Sequence, residues 1–200
     1  MKKKFDNVYQ FKITLKGIKP PIWRRIQVPE NYSFWDFHVA IQDSMGWTDT
    51  HLHHFEMVNP AHGRREEIGL PDEEGILEHE VLTGWARKIA EYFSRENDKA
   101  DYVYDYGDDW EHTIKLEKIL PRQEGVTYPI CIKGARACPP EDCGGKWGYE
   151  ELLEAIMDPN HERHEELSDW IGGDFDPEYF DVADIVFDNP KERLENALIL

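Results

Sequence analysis

From Val8 to Leu15 the chain alternates: Tyr9, Phe11, Ile13 and Leu15 fall on one side, Gln10, Lys12 and Thr14 on the other. A period of two is that of a half-buried strand. A turn over Gly17–Pro21 follows, and Ile22–Val28 reads as the strand's partner. The period then changes. Ser33 opens a helix, with Asp36 three residues on as its capping-box partner, Phe34, Phe37, Ile41 and Met45 on one buried face, and Gly46 as its stop. His53–Val58 returns to strand alternation. Gly63–Gly84 is charged and aperiodic and reads as an exposed excursion before a short helix around Trp85–Phe93. Asp101–Tyr106 and Glu111–Leu120 predict an antiparallel hairpin about "YGDDWE", with Tyr102, Tyr104 and Tyr106 on one face, and Tyr128–Lys133 a further strand. Beyond it the pattern is helical. Tyr149, Leu152, Leu153 and Ile156 repeat at helical spacing until Asp158-Pro159, a second helix runs over Glu162–Ile171 to Gly172-Gly173, and Asn189 caps a last one with Pro190 in its first turn and Glu192 as partner.

Strands come first and helices last, which predicts an α+β fold with a mainly antiparallel sheet. Its opening order of strand, strand, helix, strand is compatible with a β-grasp-like core, against which an acidic helical part packs. One domain over 1–200 is expected, strand-rich over 5–133, with a cysteine-bearing loop at 134–148 and helices over 149–200.

Composition narrows the classes. The formal charge of -18 repels polyanions and acidic membranes and argues against a nucleic-acid partner. That charge is uneven: residues 1–30 carry eight lysines and arginines against two acids, and residues 141–200 carry eighteen acids against four bases. Three cysteines are too few, and odd in number, for a secreted disulfide scaffold. No apolar run approaches a membrane span. A cytoplasmic, unanchored protein is expected, with a protein partner and no membrane contact.

Four stretches carry candidate chemistry. In "ACPPEDCGGKWGY" the spacing of Cys138 and Cys143 is not that of a zinc finger or of a redox pair, but Cys131, Cys138, Cys143 and a distant His112 offer four ligands for zinc or another divalent metal. The simpler reading comes first: Pro139-Pro140 stiffens a turn, Gly144-Gly145 supplies positive φ, and the thiols are small buried hydrophobes. Glu141 and Asp142 lie between the cysteines as further binding candidates. "HLHHF" puts His51 and His53 on one strand face and His54 on the other, so two histidines could join Asp105, Asp108, Asp109 or Glu111 in a mixed nitrogen and oxygen site. The carboxylates flanking Trp110 also suit an ordinary hairpin turn. Trp23, Arg24 and Arg25 interleave aromatic and basic residues as nucleic-acid platforms do, although a solvated strand facing the chain's own acidic half explains them with less.

"YQFKITLKGIKPPIWRRIQVP", "FWDFHVAIQDSMGW", "HLHHFEM", "YVYDYGDDWEHTI", "ACPPEDCGG" and "FDPEYFD", in this order, resemble the Ri-plasmid ORF-three-like family, also labelled insertion-element passenger proteins of the TnpR type. The resemblance spans about Val8–Asn189. It implies a compact α+β domain associated with plasmids and mobile elements, with no established activity and hence no catalytic residues to carry over. The TnpR label implies a DNA-processing role. A recombinase, however, needs a nucleophile inside an arginine cluster, and the ten arginines here are scattered singly or in pairs. The residues thus predict an interaction or binding domain, with a metal-binding protein or metal-dependent enzyme as the alternative.

Overall fold

The computed structural model describes residues 5–71, 81–173 and 175–198. Its strands are β1 (Asn7–Leu15), β2 (Trp23–Pro29), β3 (His53–Val58), β4 (Arg65–Gly69), β5 (Val81–Thr83), β6 (Lys99–Tyr104), β7 (Trp110–Pro121) and β8 (Ile130–Ala135). They form one eight-stranded sheet in the order β5-β4-β3-β6-β7-β1-β2-β8. Every pairing is antiparallel except β4 with β5. The helices are α1 (Phe34–Met45), α2 (Ile89–Tyr92), α3 (Gly145–Met157), α4 (His164–Ile171) and α5 (Pro190–Ala197). The fold is α+β.

Two parts differ from expectation. The charged excursion holds β4 and β5, because Arg65, Glu66 and Glu67 lie along β4 while Ile68 turns into the core; its residues 72–80 fall outside the described set. The helix expected after it is split into a 3-10 turn at Gly84–Ala86 and the single turn α2. Nor does β3 return beside β1, because β6 and β7 lie between them, so the first four elements do not close a β-grasp-like unit.

Local rules explain α1. Ser33 Oγ accepts the Asp36 amide, Asp36 accepts the Ser33 amide, and Gly46 closes the C-terminus at φ 99°. The helix packs on the sheet through rings: Phe37 stands 4.5 Å from Phe11 and 5.6 Å from Phe55, centroid to centroid. Each such ring removes on the order of 150–250 Å² from water, so this aromatic layer carries most of the local stabilisation. Arg24, 2% exposed, fastens β2 to the end of α1 by donating Nε–H to the Ser44 carbonyl at 2.7 Å.

The cysteine loop is laid onto the β6–β7 hairpin. Gly144 opens α3 at φ 88°, its amide donating to Asp108 Oδ2 at 3.1 Å. At Gly145 a Cβ would stand 2.6 Å from the Asp108 carbonyl oxygen, so only glycine permits the approach. Trp47 Nε1–H donates to the Pro139 carbonyl at 3.0 Å. This packing brings residues 138–144 against the segment that leaves α1.

Candidate functional site

Three segments far apart in sequence meet beside His51. It sits in the connection between Gly46 and β3; Asp105 begins the turn after β6; Glu141 and Asp142 come from the cysteine loop. His51 Nε2 lies 3.0 Å from Asp142 Oδ1, 3.5 Å from Asp105 Oδ2 and 4.0 Å from Glu141 Oε2. That nitrogen is closed off from solvent and has no hydrogen-bond partner: the oxygens are close, but not in the direction of an N–H bond. Two ligands about 2.1 Å from one ion stand ~3.0 Å apart at octahedral angles and ~3.4 Å apart at tetrahedral ones, so the separations to Asp142 and Asp105 are compatible with a shared ion, whereas that to Glu141 is longer.

Two of the carboxylates are held from behind, while the Asp142 side chain is 69% exposed. Asp105 Oδ1 accepts the amides of Gly107 (2.9 Å) and Asp108 (3.2 Å), which turns Oδ2 toward His51. Glu141 Oε1 accepts the Thr48 amide (2.8 Å) and the Tyr104 hydroxyl (3.0 Å). Asp105 and Asp142 both sit in the left-handed region, at φ 60° and 57°. Aspartate tolerates that conformation better than most side chains, at a cost of about 1–3 kcal/mol. Burial and the Glu141 charge raise the Tyr104 phenol, which keeps it a hydrogen-bond donor.

A second cluster lies deeper. His38 and His53, 0% and 1% exposed, stack with centroids 3.3 Å apart and planes 5° from parallel. His38 Nε2 meets Asp49 Oδ1 at 2.6 Å, and His38 Nδ1 meets the Tyr102 hydroxyl at 2.9 Å. Because Tyr102 already receives the Gln42 amide, its own proton goes to His38 Nδ1, which assigns the His38 proton to Nε2, facing Asp49. Burial and the neighbouring His38 push His53 well below the ordinary imidazole range. The residue types suit a metal, but the geometry does not. A nitrogen lone pair lies in its ring plane, and an ion in one of these planes would stand about 3 Å from the other, beyond a metal–nitrogen bond of ~2.1 Å. His38, Asp49, Tyr102 and Gln42 form a buried hydrogen-bond network, and His53 stacks on it with its Nδ1 unpartnered.

His51 and His53 therefore do not share a site. Among the described residues, the only groups of three or more ligand side chains whose ligand atoms lie within 4.8 Å of one another are these two, and neither contains a cysteine or His112. Cys131, Cys138 and Cys143 are free thiols packed at the core. Burial raises all three, with Arg24 opposing at Cys131 and Cys138; Cys143, near Asp108 and Asp142 as well, is pushed up to about 12. Without a metal, burial favours the neutral thiol at all three. His112, 0% exposed, is lowered to about 3 by burial and contacts Trp47 and Tyr102.

The remaining candidates have other employment. Trp110 is core, Asp108 anchors Gly144, Glu111 pairs with Lys146 at 3.6 Å, and Asp109 sits in the turn at φ 53°. His54 turns to Tyr106. Arg25 forms a two-point pair with Glu117 (2.6 and 2.7 Å) and flanks Trp23, while Arg24 is buried under the Phe180 ring. The trio Trp23–Arg25 thus offers no uncommitted guanidinium to a phosphate.

The chain as a whole is similar to known proteins. The model of the plasmid pRiA4b ORF-3-like proteins matches residues 7–184. The chain belongs to the plasmid pRiA4b ORF-3-like family. The uncharacterized protein y4hQ of Sinorhizobium fredii is 38% identical to this ORF-3-like protein over 177 residues, 85% of this chain and 84% of that one. The crystal structure of the protein of unknown function MM3350 from Methanosarcina mazei Go1 superposes with a TM-score of 0.86 at 53% identity, covering 92% of this chain and 100% of that one. His51, Asp105, Glu141 and Asp142 all lie within the segment matched to the ORF-3-like family.

His51, Asp105, Glu141 and Asp142 were all legible as candidates, but not as one group. His38, Asp49, Thr48 and Tyr104 carried no such reading. His38 had a signal, because its spacing from Phe34, Phe37 and Ile41 places it on the apolar face of α1.

Proposed function

We propose that this ORF-3-like protein binds a divalent transition-metal ion through His51 Nε2, Asp105 Oδ2 and Asp142 Oδ1, with Glu141 as a further oxygen ligand. The observation that supports this most is His51 Nε2, closed off from solvent, without a hydrogen bond, and facing three carboxylates at 3.0–4.0 Å. Asp105, 6% exposed, has its carboxylate within 4.8 Å of the Asp142 oxygen, and a cation between two carboxylates is attracted to both. One imidazole with several carboxylates suits Mn²⁺ or Zn²⁺ better than Mg²⁺, which prefers an all-oxygen, largely hydrated shell. A pure interaction role has less behind it. Trp147, 83% exposed, lies on α3 and Val186, 76% exposed, in the segment before α5, and single exposed apolar residues are ordinary surface.

Calorimetric titration of the full chain, purified without chelator or affinity metal, tests the reading. One equivalent of Mn²⁺ or Zn²⁺ is expected, with Mg²⁺ much weaker. An ion at ~100 times its dissociation constant adds about 2.7 kcal/mol of stability, or roughly 5–10 °C in Tm. His51→Gln and Asp105→Asn each abolish both effects. Wild-type protein that takes up neither ion, or an Asp105→Asn variant that binds as wild type does, refutes it.

A further inference from the structure

No residue of α5 is buried, so polar contacts rather than core packing hold this helix. Trp35 Nε1–H donates to the Pro190 carbonyl at 2.8 Å. Arg193 does more. Its Nη2 lies 3.1 Å from Asp43 Oδ1, its Nη1 3.5 Å from Asp49 Oδ2 and its Nε 3.1 Å from Asp188 Oδ2. Asp43 belongs to α1 and has a side chain only 4% exposed; its other oxygen accepts the Asp188 amide at 2.9 Å. Burial holds the Asp43 carboxyl up at about 6, with Arg193 pulling it down. Asp49, at φ 61°, lies two residues before His51 in the same connection.

Arg193 therefore joins three elements: α5, the end of α1, and the segment that carries His51. Arg193 and Asn196 also wall a cavity of about 350 Å³ whose other side is formed by Thr48, Asp49 and His51. The family match ends at residue 184, which leaves α5 outside it.

We propose that Arg193 is a positioning residue for the cation site, holding the segment 47–52, and with it His51, through Asp49, so that α5 acts as a strap whose release loosens the site. The inference rests on the cation-binding reading, and the sign of one effect separates it from simpler roles. A guanidinium near a cation site repels the cation, so removing it for electrostatic reasons alone tightens binding. Loss of positioning weakens binding, because the ligands must then be ordered when the ion arrives.

The test compares wild type, Arg193→Gln and Arg193→Lys as full chains, by Mn²⁺ titration and by hydrogen exchange of individual amides without metal. In Arg193→Gln, exchange over residues 47–52 is expected to rise about ten-fold while β7 stays protected, and the Mn²⁺ dissociation constant to rise at least about five-fold. Arg193→Lys recovers part of both. Unchanged or tighter Mn²⁺ binding in Arg193→Gln overturns the proposal, as does unchanged exchange over 47–52, or a rise that extends equally into β7 and marks a general loss of stability. If wild type binds no Mn²⁺, the cation reading falls, and local exchange alone decides whether α5 straps the segment.

Discussion

Asp43 provides a quantitative check on the way α5 is held. A carboxyl at about 6 in the folded chain, against 3.8 in water, makes the ionised form cost on the order of 3 kcal/mol at neutral pH. The sign follows from the raised value: the folded state binds the proton more tightly, so stability grows as pH falls through about 6 and the gain is complete below 3.8. Between about pH 7.5 and about pH 5 the part realised is ~1.4 kcal/mol. For a chain of 200 residues that is about 3–6 °C in Tm. Asp43→Asn removes this titration while its side-chain oxygen still accepts the Asp188 amide. Other groups titrate alike in both proteins and cancel in the difference. Urea unfolding of wild type and Asp43→Asn at the two pH values is therefore expected to show wild type gaining ~1.4 kcal/mol more than the variant on acidification. Two parallel pH profiles, differing by less than about 0.3 kcal/mol, would mean that Asp43 titrates as a solvated carboxyl, and that Arg193 is not answering a buried charge.

Gly148→Ala puts a methyl group into the carbonyl oxygen of Cys143; the displaced loop is expected to cost about 3 kcal/mol or more and to weaken Mn²⁺ binding together with Tm, both read on one sample. Cys138→Ala and Cys143→Ala, tested separately, leave Mn²⁺ affinity within about two-fold, because the thiols face the core rather than the ion; a ten-fold loss in titration would restore the cysteines as ligands. Native Cys143, held at about 12, is expected to react with a thiol reagent near pH 8 at least about ten-fold more slowly than in urea, timed by absorbance. Phe37→Ala costs roughly 3–5 kcal/mol in urea unfolding, since its ring is 0% exposed between Phe11 and Phe55.

How far a residue's role could be read from the chain depends on how local its cause is. The capping box of α1 and the alternation of β1 are decided within a dozen residues, and both stand as expected. β5 could not be read that way: three residues long, it exists only because β4 offers it an edge. The site is less local still. His51, Asp105 and Asp142 are separated by strands β3–β8 and meet only after β3 pairs with β6 and the cysteine loop closes on the hairpin.

The loop "ACPPEDCGG" shows what this does to inference from composition. Its cysteines carry the familiar chemical signature, but burial and nearby carboxylates leave them as apolar packing. The two acids between them stand against His51 instead. Pro139 is fixed by Trp47, Gly144 by Asp108, and Gly145 permits contact with the hairpin backbone, so Glu141 and Asp142 are held over His51 from both ends. Side chains that look like ligands here build the platform, and the turn acids face His51 Nε2, a buried imidazole nitrogen without a hydrogen bond.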